Sequence, residues 1–364
     1  MNTLGIYFHI PFCAKKCPYC DFYSVCYSKQ QTELYIDAVL RNLRYYSNKN
    51  TIVDTLYFGG GTPSLLKSSQ IEAILNEVCN NFALSEKAEI TLEANPAVLS
   101  PEKLKELHNT GINRLSLGVQ SLNDEELKFL GRLHNAERAA RAVNDAVSAG
   151  FDNISCDLMI ALPNQTEKTL EYSINKLTEL PIQHISSYIL KVENGTPFDC
   201  DDVRSILPDD DMTSDLYLMM CELLENRGFM QYEVSNYAKS GYESRHNSRY
   251  WKCQDYLGIG PAAHSCYHGK RFSVTKDIES FIQNVHQDTS VTDESPCGFE
   301  EYAMLRLRLK EGLLLEKTAE HREEIEKKLP PLVKAGYILF DGKKISLTRK
   351  GFLMSNSVIE YLIF

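Results

Sequence analysis

Long apolar runs are missing from this 364-residue chain. None reaches the ~18 residues that a membrane-spanning helix needs. The opening MNTLGIYFHIPFC lacks the basic head, apolar stretch and cleavage site of a secretory signal. A cytoplasmic protein without a transmembrane segment is therefore expected, with peripheral contact with a membrane left open. An excess of positive charge is missing too: 39 basic residues face 49 acidic ones, a net charge of −10. Residues 297–364 carry 12 basic and 10 acidic groups, which leaves 27 and 39 in the first 296. Such a chain is a poor general binder of nucleic acid, and no nucleic-acid partner is expected. Tryptophan is scarce, with Trp251 the single one. What is abundant is ordinary: 43% hydrophobic and 24% charged residues make a globular chain able to bury a large core. Its length suggests two units, with three open.

Eleven cysteines are many for a reducing compartment. Cys26, Cys79, Cys156, Cys200, Cys221, Cys253, Cys266 and Cys297 are scattered without pairing logic. Cys79 and Cys156 fall in helix-like and strand-like runs and read as small buried hydrophobes. Cys13, Cys17 and Cys20 are clustered, which suggests metal or redox chemistry.

Short apolar, β-branched runs recur at 4–10, 52–58, 88–94, 113–118, 153–160 and 184–190. Amphipathic stretches separate them, such as TELYIDAVLRNLRYY, in which Leu34, Ala38, Val39 and Leu43 share a face at helical spacing. Ser100–Pro101 opens a helix that Gly111 closes, and Gly150 closes another that begins near Ala136. Six strands alternating with helices predict an α/β fold with parallel βα units. A complete or partial barrel is the natural solution, and a doubly wound sheet is the alternative. After Leu190 the alternation stops, and residues 201–295 form a mixed, turn-rich connecting region. Residues 298–310, 315–328 and 331–336 then read as helices before a hairpin YILF-DGKK-ISLT and a closing helix. This predicts a small winged-helix-like domain at 296–364, behind a barrel at 1–200. With two net positive charges in the tail, a structural or protein-contact role is expected of it rather than DNA binding.

The strongest chemical signal is Cys13-Ala-Lys-Lys-Cys17-Pro-Tyr-Cys20, on a polar, proline-punctuated loop after the first strand. Three thiolates on a short loop can wrap one side of a [4Fe–4S] cluster and leave one iron open. Zinc is the rival, but a structural zinc site takes four protein ligands. Gly59-Gly60-Gly61-Thr62-Pro63 follows the second strand, where glycines would let backbone amides approach a ligand. Glu93 ends the third strand, Gln120 the fourth, and Asp157 sits in the fifth, with Arg132 twelve residues beyond Gln120. Singly these read as caps or surface ion pairs. Together they look like a shell around one polar cofactor.

The cysteine spacing resembles that of the radical S-adenosylmethionine (SAM) superfamily. Membership implies a full or partial (β/α) barrel and SAM chelated at the open iron. One electron from the cluster then cleaves SAM to methionine and a 5′-deoxyadenosyl radical. YFHIPFC, FGGGTPS, LEANP, RLSLGVQS, DLMIALPNQT, QYEVSNYA and the tail LTRKGFLMSN resemble a narrower branch, the coproporphyrinogen dehydrogenase-like radical SAM proteins, whose likeness runs from about residue 4 to the end. By motif position, the resemblance implies SAM contacts at Tyr7, Tyr19, Gly60, Gly61, Thr62, Glu93, Gln120, Arg132 and Asp157. Tyr19 stands where phenylalanine is usual.

Two activities compete within the branch. The oxygen-independent decarboxylase typically has a further cysteine two residues after the motif and a pre-barrel segment. Here that position is Phe22, and the chain begins three residues before the first strand. The heme chaperones of the branch carry H-N-x-x-Y-W, and this chain has His246-Asn247-Ser248-Arg249-Tyr250-Trp251. Imidazole is a common ligand of heme iron and aromatic faces suit a flat macrocycle. His246, Asn247, Tyr250 and Trp251 are therefore candidate heme contacts, with a turn-capping histidine as the plain alternative. His9 and His264 read as packing or supporting residues. The reading implies heme, an acceptor protein for it and an electron donor. A porphyrin-modifying enzyme is the second reading, and a winged-helix regulator the third.

Overall fold

The computed structural model describes residues 3–318 and 320–364. Six parallel strands stand side by side in chain order: β1 (Leu4–Ile10), β2 (Ile52–Gly60), β3 (Ala83–Ala94), β4 (Arg114–Gln120), β5 (Ile154–Ile160) and β6 (His184–Ile189). Their interiors are nearly all buried, as in strands covered on both faces, with apolar residues alternating with buried polar ones such as Thr55, Thr91, Arg114, Ser155 and His184. Helices such as Lys29–Tyr45, Ser68–Asn81, Pro101–Asn109, Ala136–Ser148 and Glu167–Thr178 return the chain between them. This is the (β/α)6 arrangement of a partial barrel. The sheet continues past both edges. Tyr256–Ile259 joins β1 in parallel, followed by His264–Tyr267, Lys270–Val274 and Thr289–Asp293, while Asn236–Ala238 and Met230–Gln231 extend β6. Residues from the 201–295 stretch thus complete the sheet that the first 190 residues begin.

Helix ends follow local chemistry. Ser100 accepts from the Lys103 amide with Pro101 in the first turn, and Gly111 beyond the helix adopts φ +105°. In helix Lys29–Tyr45 the buried stripe is Tyr35, Ile36, Ala38, Val39 and Leu43, whereas Leu34 is 47% exposed. The expected face holds at Ala38, Val39 and Leu43, while in the first turns Tyr35 takes the inner place of Leu34, its hydroxyl 2.6 Å from the His9 carbonyl. Cys156 is buried as expected, but Cys79 is exposed. It lies on the outer side of its helix, where Val78 and Leu75 take the inner positions.

The C-terminal part holds helix Phe299–Leu307, a three-stranded sheet in the order Leu313–Leu314, Lys344–Leu347, Ile338–Phe340, and helices Arg322–Lys334, Arg349–Leu353 and Ser355–Ile363. The stretch expected as one helix at 315–328 opens, right after strand Leu313–Leu314, with a 3-10 turn (Leu315–Thr318), and its helix starts only at Arg322. That helix runs through Pro330 and Pro331 instead of breaking into a third one. Two backbone hydrogen bonds are forfeited there, because proline has no N–H, while Ile325 and Leu329 anchor the helix to the core. No helix among the described residues is long and apolar enough to cross a membrane.

Candidate functional site

All six strands deliver their carboxyl ends to one cavity of about 420 Å³, the face where barrels of this kind carry ligand-binding loops. The loop after β1 contributes Cys13, Cys17, Tyr19 and Cys20, and β2 contributes Gly60, Gly61 and Thr62. Glu93 comes from β3, Gln120 from β4 and Asp157 from β5. Arg132 reaches in from beyond helix Asp124–Phe129. Eleven sequence-predicted residues are therefore gathered from distant parts of the chain.

The thiols are free and partly exposed. Arg132 Nη1 donates to Cys17 Sγ at 3.4 Å, and the Thr62 hydroxyl donates to Cys13 Sγ at 3.7 Å. Burial and the two neighbouring thiols raise Cys20. Arg132 is itself held by the Gly118 carbonyl at 2.8 Å, yet its Nε is buried without a partner. A structural zinc site takes four protein ligands around one ion, and the loop supplies three thiols. A four-iron cluster takes one thiolate per iron and has no such requirement. The set of thiols fits a cluster.

Glu93 and Asp157 line the cavity. Glu93 accepts from the Tyr57 hydroxyl at 2.8 Å and the Gly60 amide at 3.1 Å, and Asp157 accepts from the Ser116 hydroxyl at 3.2 Å. Burial pushes Glu93 up to about 7, helped by the charge of Asp157, and burial pushes Asp157 up to about 6. Neither carboxylate nor Arg132 makes an ion pair among the described residues. Two acids and one guanidinium with unspent charge suit a zwitterion carrying an ammonium and a carboxylate.

The glycine run has a different cause from the one expected. The amides of Gly60, Gly61 and Thr62 are spent on Glu93, the Ile10 carbonyl and the Phe12 carbonyl. They are not left for a ligand. Gly60 is glycine because φ is +107° and a Cβ would meet the His9 ring at 2.8 Å, and a Cβ on Gly61 would meet the Phe12 carbonyl at 2.7 Å. Gln120 is in the left-handed region at φ +69°, a strained conformation for a non-glycine residue at a strand end facing a cavity.

Tyr7 does not line the cavity. It lies beside Gly59, with its hydroxyl 3.1 Å from His9 Nδ1. The fold adds residues that the sequence reading missed: Ser116, Gly118 and Met159 inside, and Phe22, Tyr188 and Ile189 at the rim. The strand-end rule applied to β6 would have found Tyr188 and Ile189.

The hexapeptide lies elsewhere. Helix Arg245–Trp251 packs across β2, with Ser244 as its cap and Glu89 of β3 accepting the amides of Arg245 and His246. His246 is fully buried. Its Nδ1 pairs with the Thr55 hydroxyl at 2.9 Å and its Nε2 with the Tyr250 hydroxyl at 2.8 Å. Burial lowers it to about 3. Both nitrogens are used within the protein, the arrangement of the plain alternative, a structural histidine. The Tyr250 hydroxyl is spent on the same bond. Asn247 and Trp251 are half-buried, and none of the four lines the cavity. His9 is a supporting residue, whereas His264 is exposed.

A partial parallel barrel with three free thiols after its first strand and a charged shell at the other strand ends defines a radical SAM protein, and residues 7–177 match the Radical SAM superfamily. Heme chaperone HemW of Lactococcus lactis is 34% identical over 97% of this chain and 96% of its own. The Bacillus subtilis heme chaperone HemW is 35% identical over 97% of both, and the Escherichia coli one 34% over 100% and 99%. The chain belongs to the heme chaperone HemW family. Its fold is that of coproporphyrinogen III oxidase (HemN) from Escherichia coli, a radical SAM enzyme, with a TM-score of 0.83 at 24% identity over 100% of this chain and 90% of that one.

Proposed function

We propose that the chain is a radical SAM heme chaperone: it binds a [4Fe–4S] cluster, SAM and heme, and passes heme to an acceptor protein. Cys13, Cys17 and Cys20 hold the cluster, which when bound supplies one electron for reductive cleavage of SAM. Glu93 and Asp157 receive the ammonium and hydroxyl groups of SAM, Arg132 receives its carboxylate, and Gln120 adds a hydrogen-bonding amide. Tyr19, Gly60, Gly61 and Thr62 shape the wall between them. Tyr7 acts one layer back, through His9.

The observation that carries the reading is the gathering of three free thiols and an unspent charged shell in one cavity, in a chain whose full-length relatives are heme chaperones. With His246 spent on structure, heme is assigned to the cavity rim. Phe22 is 61% exposed there, and Tyr188 and Ile189 are 44% and 40% exposed. Lys15 and Lys16 stand beside them. An apolar rim with two ammonium groups suits a flat macrocycle bearing carboxylates. The test is purified, anaerobically reconstituted protein assayed in parallel for heme binding and for conversion of coproporphyrinogen. Stoichiometric heme binding without the vinyl product is expected, and Phe22→Asp should weaken it while iron content stays constant. Many turnovers of coproporphyrinogen per chain would restore the porphyrin-modifying enzyme.

A further inference from the structure

Three cysteines with no pairing logic in the sequence meet in the fold, outside the cavity described above. Cys253 sits in the turn after helix Arg245–Trp251, Cys266 on strand His264–Tyr267, and Cys297 just ahead of helix Phe299–Leu307. A chain of contacts ties them together. The Cys297 amide donates to Glu301 Oε2 at 2.6 Å, Glu301 Oε1 pairs with Arg271 Nη1 at 2.6 Å, and Arg271 stands opposite Cys266 in the strand ladder. Helix Arg245–Trp251 packs on helix Phe299–Leu307, which sets the turn holding Cys253 beside Cys297, and the Cys297 thiol neighbours those of Cys253 and Cys266.

The three thiols are not equivalent. Cys266 is 5% exposed, while Cys253 and Cys297 are half-buried and reachable. Cys253 and Cys297 are also two of the few non-glycine residues in the left-handed region, at φ +51° and +66°. Such a backbone persists only where the surroundings over-determine it, and it often marks a functional site. The Cys297 hydrogen bond lowers the Cys253 thiol below its ordinary value, whereas Cys266 and Cys297 are raised. Exposure selects Cys253 and Cys297 as the pair, and the lower thiol suits the attacking role and the higher one the resolving role.

We infer that Cys253 and Cys297 form a reversible disulfide in response to a hydroperoxide. The Cys253 thiolate sulfur attacks one peroxide oxygen, the O–O bond breaks, and the departing hydroxide takes up a proton as water. Cys253 is then a sulfenic acid. The Cys297 sulfur attacks the Cys253 sulfur, the S–O bond breaks, and the hydroxide leaves as water with the proton from Cys297. Two thiols and one hydrogen peroxide become one disulfide and two waters, and two thiols of a small reductant reverse it. The bond ties the end of the hexapeptide helix to the segment that leads into the C-terminal helices. It does not depend on the heme reading.

The experiment treats the full-length chain with equimolar hydrogen peroxide, alkylates the free thiols and maps peptides by mass spectrometry. A Cys253–Cys297 cross-link that dithiothreitol removes is expected, with Cys253 trapped by dimedone in the Cys297→Ser variant. Exposed Cys79 serves as the reference for unassisted oxidation. A cross-link that uses Cys266 in place of either partner would overturn the assignment. So would sulfenic labelling of Cys253 no faster than that of Cys79, or the absence of any cross-link.

Discussion

The strand-end cavity and the hexapeptide helix are both dense in polar side chains, but they spend them differently. Around the cavity Glu93, Asp157 and Arg132 have no ion-pair partners among the described residues, the thiols of Cys13, Cys17 and Cys20 are free, and burial holds both carboxyls high. On the helix nearly every group is used. Arg249 is 2% exposed, and its guanidinium donates to the Thr3 carbonyl at 3.0 Å, the Asp255 carbonyl at 2.9 Å, the Thr3 hydroxyl and Asp54. Gly5 leaves room for it, since a Cβ there would meet Arg249 Cδ at 2.6 Å. His246 is bonded at both nitrogens. Buried polar groups tend to find partners. Where charge is left without a counter-charge, the site has room for a ligand to supply it. Where the protein supplies the partners, the motif is a fastener that pins the helix to β2 and to the start of β1.

The largest expected effect falls on the cavity. Replacing Cys13, Cys17 and Cys20 together by alanine should take iron from about four atoms per chain to none after anaerobic reconstitution. Cys26→Ala should leave it unchanged. Full loading of the triple variant would erase the contrast between the two regions.

On the helix the effect should be on stability. Arg249→Ala leaves Asp54 without its main partner and should cost about 3–5 kcal/mol in denaturant unfolding, with iron per folded chain unchanged. His246→Ala removes the partner of two hydroxyls and should cost about 1–3 kcal/mol, again with heme binding retained. Loss of heme binding at unchanged stability would return His246 to the role of ligand.

Glu93→Ala or Asp157→Ala should leave iron in place and weaken SAM binding. Each deletes a polar contact of about 1–3 kcal/mol, or roughly 5–150-fold in affinity, measurable by titration calorimetry. Unchanged affinity in both would move the SAM site away from β3 and β5.

The smallest effect is a slope with pH. Glu93 goes from 4.5 to about 7 and Asp157 from 3.8 to about 6 on folding without ligand. An acid whose folded value is raised binds more protons when folded, so these two groups stabilise the fold below about pH 4 and lose that contribution as pH rises towards 7. Glu93→Gln with Asp157→Asn should flatten this part of the stability profile, read as unfolding midpoints across pH 4–7.

Much of the barrel was legible because parallel buried strands are short continuous apolar runs, and β1, β5 and β6 fall within a residue of their expected bounds. The strand-end rule then turned chain positions into a shared face, which is why Cys13, Glu93, Gln120 and Asp157 could be grouped before any geometry was known. Side-chain rotation was not legible. Periodicity could not distinguish Leu34 from Tyr35, nor foresee that Leu329 would hold a helix through Pro330 and Pro331.

By itself the amino-acid order determined the parallel βα alternation, the three-thiol loop and the residues that would ring the cavity, because spacing along a strand or loop sets those local relations. Only the tertiary structure decided the rest. It turned His246 inward onto Thr55 and Tyr250, spent the Gly60 and Gly61 amides within the protein, and brought Cys253, Cys266 and Cys297 together. Each of these depends on which surfaces pack against which, over separations that no local pattern encodes.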